Sequence, residues 1–179
     1  MTELRRILMV IAPEQFRDEE LLVPRHAFEA AGFAVDTVST RVGEATGMLG
    51  AKETIQTTLS QVSPANYCAT VVVGGMGSVE HLWENEPLHQ LLQAAAAQGQ
   101  VLAAICLSSA VLAKAGLLQG KQATVWEMPE SLEALKHAGA IYTGEPVTVD
   151  DNRVTANGPE AATAFAEAIL ARLQLLQPA

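Results

Sequence analysis

Aromatic residues are scarce in this 179-residue sequence, at 4%. A core must therefore be assembled from Ala, Val, Leu and Ile rather than from large rings. Charge is sparse too, at 17%, while apolar residues reach 49%, which excludes an intrinsically disordered chain. Positive charge is the scarcer sign: 11 Lys and Arg stand against 20 Asp and Glu, for a formal net charge of −9. Such a chain gains nothing by neutralising phosphates, so neither nucleic acid nor an anionic membrane surface is an expected partner. No apolar run approaches the ~18 residues of a membrane span. The pair Arg5-Arg6 precedes an apolar stretch over 7–12 that is too short for a signal peptide and meets Pro13 and Glu14 at once. Two cysteines, Cys68 and Cys106, make neither a disulfide framework nor a metal-ligand spacing, and a reducing compartment suits both. Together these features predict a cytoplasmic protein folded as one domain over 1–179.

What is present is an alternation of short apolar runs and amphipathic stretches, the pattern of a mostly parallel sheet covered by helices. Strands are predicted over 7–11, 34–39, 70–73 and 101–105, with shorter ones over 123–125 and 140–142. Helices are predicted over 19–31, closed by Gly32, and over 86–98, 107–115, 130–137 and 158–175. The segment 41–58, with Gly43, Gly47 and Gly50, reads as a small hairpin excursion, and 147–149 with 154–156 as a second hairpin. Continuous apolar runs such as Thr70-Val71-Val72-Val73 suit a sheet buried on both faces.

Three segments carry candidate chemistry. Ala104-Ile105-Cys106-Leu107-Ser108-Ser109 passes from a buried strand into a helix with no residues to spare, the pattern of a nucleophile elbow. Cys106 is expected there as an exposed thiol at a helix N-terminus, with its pKa lowered by the helix dipole and free N–H groups. The glycines Gly74 and Gly75 follow another strand directly. A glycine N–H there and the Leu107 N–H are expected to form an oxyanion hole. The acidic run Asp18-Glu19-Glu20 opens the first helix on the same sheet edge, where one carboxyl can meet the sulfur; sequence order does not choose among the three. Of the histidines, His26, His89 and His137 read as ordinary helix residues, and His81, just after the glycine loop, is the one expected near the cysteine. Cys68 reads as core. No metal cluster or nucleotide fingerprint is present, so no cofactor is expected.

The elbow, the following Ala113-Lys114-Ala115-Gly116-Leu117-Leu118-Gln119-Gly120-Lys121, and the strand and glycines over 70–75 resemble the ThiJ/PfpI (DJ-1/PfpI) superfamily along essentially the whole chain. The resemblance implies a single-domain α/β fold of the class I glutamine amidotransferase-like type. It is a flavodoxin-like three-layer sandwich whose mostly parallel sheet has helices on both faces. By spacing to Pro24 and Gly32 it selects Glu20 as the carboxyl that meets Cys106, and it assigns the anion-binding N–H groups to Gly75 and Leu107. It implies a homodimer or larger homo-oligomer. The sequence also departs from the family: Leu107 and Trp126 stand where other members place histidine. Neither is an acid or a base, which disfavours a peptidase and leaves Trp126 as a pocket wall.

These features lead to an expected activity on small reactive carbonyl compounds or glycated substrates, glyoxalase- or deglycase-like. Cys106 attacks and Glu20 shuttles the proton. The alternatives are a non-enzymatic oxidative-stress sensor or chaperone working through Cys106 oxidation, and some other hydrolase or hydratase.

Overall fold

A computed structural model describes residues 4–177. Six strands make the central sheet: β1 (Arg6–Val10), β3 (Ala34–Val38), β6 (Ala69–Val72), β7 (Val101–Ile105), β10 (Val147–Asp150) and β11 (Arg153–Ala156). Their order is β10-β11-β7-β6-β1-β3; every neighbouring pair is parallel except β10 with β11, a hairpin at one edge. β6 and β7 are buried along their whole length and β1 along all but its first residue, which explains their unbroken apolar sequences. Helices cover the faces as expected: α1 (Asp18–Ala30) packs on α6 (Ala162–Leu175), and α3 (Glu86–Ala97) packs on α4 (Ser109–Lys114), which also meets α5 (Pro129–His137). No described helix is long and apolar enough to cross a membrane.

Two small elements escape the sequence pattern. β2 (Glu14–Phe16) pairs with the expected hairpin of β4 (Gly43–Gly47) and β5 (Lys52–Ile55) to make a separate three-stranded sheet. The short helix α2 (Gly77–His81) follows the glycine loop. The strand expected over 123–125 shrinks to β8 (Gln122–Ala123), paired with β9 (Ile141–Tyr142). The helix expected over 107–115 begins as a 3₁₀ turn, Cys106–Ser108, and the last helix begins only at Ala162 after a similar turn, Pro159–Ala161.

The chain runs from β1 to β3 on one side and returns to β6 on the other. The carboxyl ends of β1, β6 and β7 therefore lie around a reversal of strand order, where open α/β sheets form their crevices.

Candidate active site

Three strand ends meet here. The segment after β1 delivers Arg17 and the first turn of α1, the end of β6 delivers Gly74 and Gly75, and the end of β7 delivers Cys106. The Arg17 N–H donates to the Gly74 carbonyl at 3.0 Å, tying the first two together. The buried Ser108 hydroxyl donates to the Val73 carbonyl at 2.7 Å, tying the last two.

Close approach requires both glycines. A β-carbon on Gly74 would lie 2.6 Å from the Ile105 carbonyl oxygen, 2.7 Å from the Cys106 β-carbon and 2.9 Å from Glu20 Oε2. The cysteine and the glutamate therefore flank the same bare α-carbon. Gly75 adopts φ +106, and a side chain there would strike the Gln15 carbonyl and the Arg17 nitrogen. Cys106 itself has φ +62, a left-handed backbone that non-glycine residues rarely take. The elbow expected from the sequence is thus a strained one.

Burial corrects the expected chemistry of the thiol. Cys106 is only 6% exposed, not an exposed residue, and its pKa is pushed up to about 12 rather than lowered. Desolvation is the main cause, followed by the charge of ionised Glu20; the Leu107 and Gly75 N–H groups face the sulfur and oppose the rise. A 3₁₀ turn and a six-residue helix align too few peptides to outweigh that loss of water. Glu20 is wholly buried, and burial pushes its carboxyl up to about 8 against weaker pulls from the Cys106 thiol, the Gly74 N–H and Arg17. Those contacts are loose: neither Glu20 oxygen has a partner in full hydrogen-bonding geometry. Burial raises both groups, and ionised Glu20 raises Cys106 further, so both stay largely protonated near pH 7.

A cavity of about 130 Å³ opens onto the sulfur, lined by Arg17, Met48, Gly75, Met76, Cys106, Leu107, Trp126 and Pro159. Its lining is mostly apolar, with Arg17 as the one charged side chain, and that guanidinium is paired with Glu19 at 2.8 Å. Trp126 takes the expected place as a wall. It is 49% exposed, its backbone N–H donates to the Cys106 carbonyl at 3.3 Å, and its ring lies where a Gly158 side chain would be. Beyond it a broader crevice of about 890 Å³ shares Arg17, Trp126 and Pro159 and continues over Glu127, Tyr142 and Asn157.

Among the sequence-predicted residues, Cys106, Glu20, Gly74, Gly75, Leu107 and Trp126 come together. Gly74 serves by its missing side chain and an N–H that faces Glu20, whereas Gly75 and Leu107 face the sulfur. His81 does not join them. It lies outside the cavity lining and pairs with Glu14 at 3.0 Å. With Glu80 these two bring ligand-type atoms within 4.8 Å of one another, and both glutamates are exposed. Cys68, expected in the core, is half-buried and donates to the Arg6 carbonyl at 3.2 Å. Sequence reasoning missed Arg17, Met48, Met76 and Pro159 as pocket walls; only the placement of Arg17 beside the acidic run was a usable signal.

Residues 5–172 match the DJ-1/PfpI family profile. An uncharacterized protein of Methanocaldococcus jannaschii is 49% identical over 94% of this chain and 82% of its own length. A Bacillus subtilis protein, YraA, named only provisionally as a cysteine protease, is 31% identical over 88% and 92% of the two chains. A deglycase of Pyrococcus abyssi is 28% identical over 85% and 90%. Among solved structures, a ThiJ/PfpI domain protein from Brachyspira murdochii superposes with a TM-score of 0.92 at 30% identity, covering 98% of this chain and 100% of that one.

Proposed function

The chain belongs to the DJ-1/PfpI family, and on that premise we propose that it is a cysteine-dependent enzyme acting on small reactive carbonyl compounds, with Cys106 as nucleophile and Glu20 as proton carrier. The observation that carries this reading is the buried Cys106–Glu20 pair on either side of Gly74, with Cys106 lining a small apolar cavity and Glu20 behind it. Sites for drug-sized ligands span roughly 300–1,000 Å³. A cavity of about 130 Å³ accepts only a small head group at the sulfur.

The working form is the pair with one proton removed. When that proton has left Glu20, the carboxylate takes the thiol proton as sulfur attacks the aldehyde carbon of an α-oxoaldehyde. The S–C bond forms, the carbonyl π pair moves to oxygen, and the Gly75 and Leu107 N–H groups stand ready to receive that oxygen. Glu20 returns its proton to the oxygen, which completes the hemithioacetal. The carboxylate then removes the hydrogen on the former aldehyde carbon, and the electron pair passes to the neighbouring carbonyl oxygen as an enediolate. The hydroxyl proton of the former aldehyde carbon moves to that oxygen, Glu20 returns its proton to the neighbouring carbon, and the C=O re-forms on the sulfur-bearing carbon, which leaves a 2-hydroxy thioester. Water cleaves the thioester to the hydroxy acid and restores the thiol. Overall the oxoaldehyde gains one water, and no outside oxidant or reductant is consumed.

No histidine lines the cavity, and Leu107 and Trp126 offer no acid for an amide leaving group, so the pair suits carbonyl addition better than peptide cleavage. A buried thiol pushed up to about 12 is also a poor peroxide sensor, because the thiolate is the form that oxidises. Relatives named as deglycases, at 28% identity, support this reading. The test is incubation of wild type, Cys106→Ser and Glu20→Gln with methylglyoxal, following lactate. Wild-type turnover that both substitutions abolish is the expected result; turnover no higher than that of Cys106→Ser would sink the proposal.

A further inference from the structure

The two N–H groups that face the sulfur sit on different strand ends, Gly75 after β6 and Leu107 after β7. One short stretch of chain, from Gly75 through α2 to Trp83, reaches both. At its start, the Ser78 hydroxyl, fully buried, donates to the Gly75 carbonyl at 2.7 Å. At its end, the Trp83 indole N–H, also buried, donates to the Leu107 carbonyl at 2.8 Å. The Trp83 backbone N–H closes the stretch on the Ser78 carbonyl at 2.9 Å.

Trp83 is itself braced. The buried His89 ring places Nε2 at 2.8 Å from the Trp83 carbonyl, which can only accept, so Nε2 carries the hydrogen. Lys114 lies over the indole, 5.5 Å from its ring centre, and is anchored by Glu84 at 2.6 Å. An indole has one donor and no acceptor, so the bond to Leu107 uses all of its polar capacity. The restraint falls where it is needed. The residue before Leu107 has a left-handed backbone and opens a single 3₁₀ turn, Cys106–Ser108.

We infer that Trp83 is a positioning residue for the nucleophile: by fixing the Leu107 carbonyl it restrains the residue whose N–H, in the preceding peptide, faces the Cys106 sulfur, and Ser78 does the same for Gly75. This rests on Cys106 being the nucleophile of the proposed reaction. The separation of the two donors is then set by one segment rather than by two independent loops.

The experiment follows alkylation of Cys106 by iodoacetamide from pH 7 to 10, in a Cys68→Ser background, by mass spectrometry of the Cys106 peptide. Trp83→Phe keeps the ring and deletes the donor; Ser78→Ala deletes one hydroxyl. Removing an oxyanion donor outright costs about 10²–10³ in kcat, so a loosened donor is expected to slow alkylation by roughly tenfold. The alkylation profile should also move to higher pH, and in turnover kcat should fall with KM unchanged. A folded Trp83→Phe that loses thermal stability but keeps the wild-type alkylation profile overturns the inference. If that variant does not fold, Ser78→Ala decides in its place. The outcome separates from that of the proposed function. A shifted profile in a protein with no carbonyl turnover leaves the positioning role standing and removes the reaction; turnover with an unshifted profile does the reverse.

Discussion

Asp18 and Glu20 leave the same helical turn two residues apart, and both are buried, yet the fold treats them in opposite ways. The Asp18 side faces the β4–β5 hairpin. Its carboxylate accepts the Leu49 N–H at 2.9 Å and the Ala51 N–H at 2.7 Å, and it thereby fixes the loop that carries Met48 to the cavity mouth. The Glu20 side faces the cysteine, and there the carboxyl has no such donors and no exposure to solvent. Glu19, between them, turns outward to Arg17. A carboxylate supplied with donors is a strut. One denied donors can hold or release a proton according to what happens beside it, and that is the property a proton carrier needs. Pro24 extends the contrast, because it lacks the N–H that would have bonded the Glu20 carbonyl within the helix.

The sharpest way to break this comparison is by turnover. Glu20→Gln should lower kcat/KM on an α-oxoaldehyde by roughly 10²–10⁴-fold, the range for loss of a general acid–base, whereas Asp18→Asn should leave the folded enzyme's rate close to wild type. Equal losses would dissolve the distinction. Next comes pH. With one essential proton lost from the pair, kcat/KM should rise from about pH 6.5 and level off above the Glu20 pKa of about 8. Stability should run the other way. The Glu20 pKa is raised from 4.5 to about 8 on folding, so its burial costs nothing below pH 4.5 and progressively more as pH climbs to 8. Each tenfold change in proton affinity is worth about 1.36 kcal/mol, so the whole window amounts to at most roughly 5 kcal/mol. Urea midpoints at pH 5, 6.5 and 8 should fall for wild type and stay flatter for Glu20→Gln. Asp18→Ala should cost about 3 kcal/mol, two bonds to a charged group at roughly 1.5 each. Glu19→Gln should cost least, about 0.5 kcal/mol, as its ion pair is partly exposed.

Much of this is legible in the residues. The runs at 70–73 and 101–105 announce buried parallel strands, and the abrupt passage from Ile105 to Ser109 announces the elbow. Asp18, Glu19 and Glu20 look alike, because which acid points inward depends on the angle at which α1 meets the sheet; only the family resemblance separates them. The direction of the Cys106 pKa is hidden for a similar reason. A helix start is visible in a sequence, but the exclusion of water by Trp126, Pro159 and Met48, which come from three distant segments, is not. β2 leaves no periodic trace, since three residues pairing with a strand some thirty positions later have too little pattern to show.

The left-handed backbone of Cys106 bears on how this protein can drift. Holding a side chain at φ +62 costs on the order of 1–3 kcal/mol, and glycine or asparagine would hold the same turn more cheaply. Under the proposed function, the mutations that make the chain more robust therefore begin at the nucleophile itself. A lineage released from its reaction would be expected to lose this cysteine early and gain in durability by doing so. Under the proposed function, the strained turn is the cost of presenting a thiol at that point of the fold.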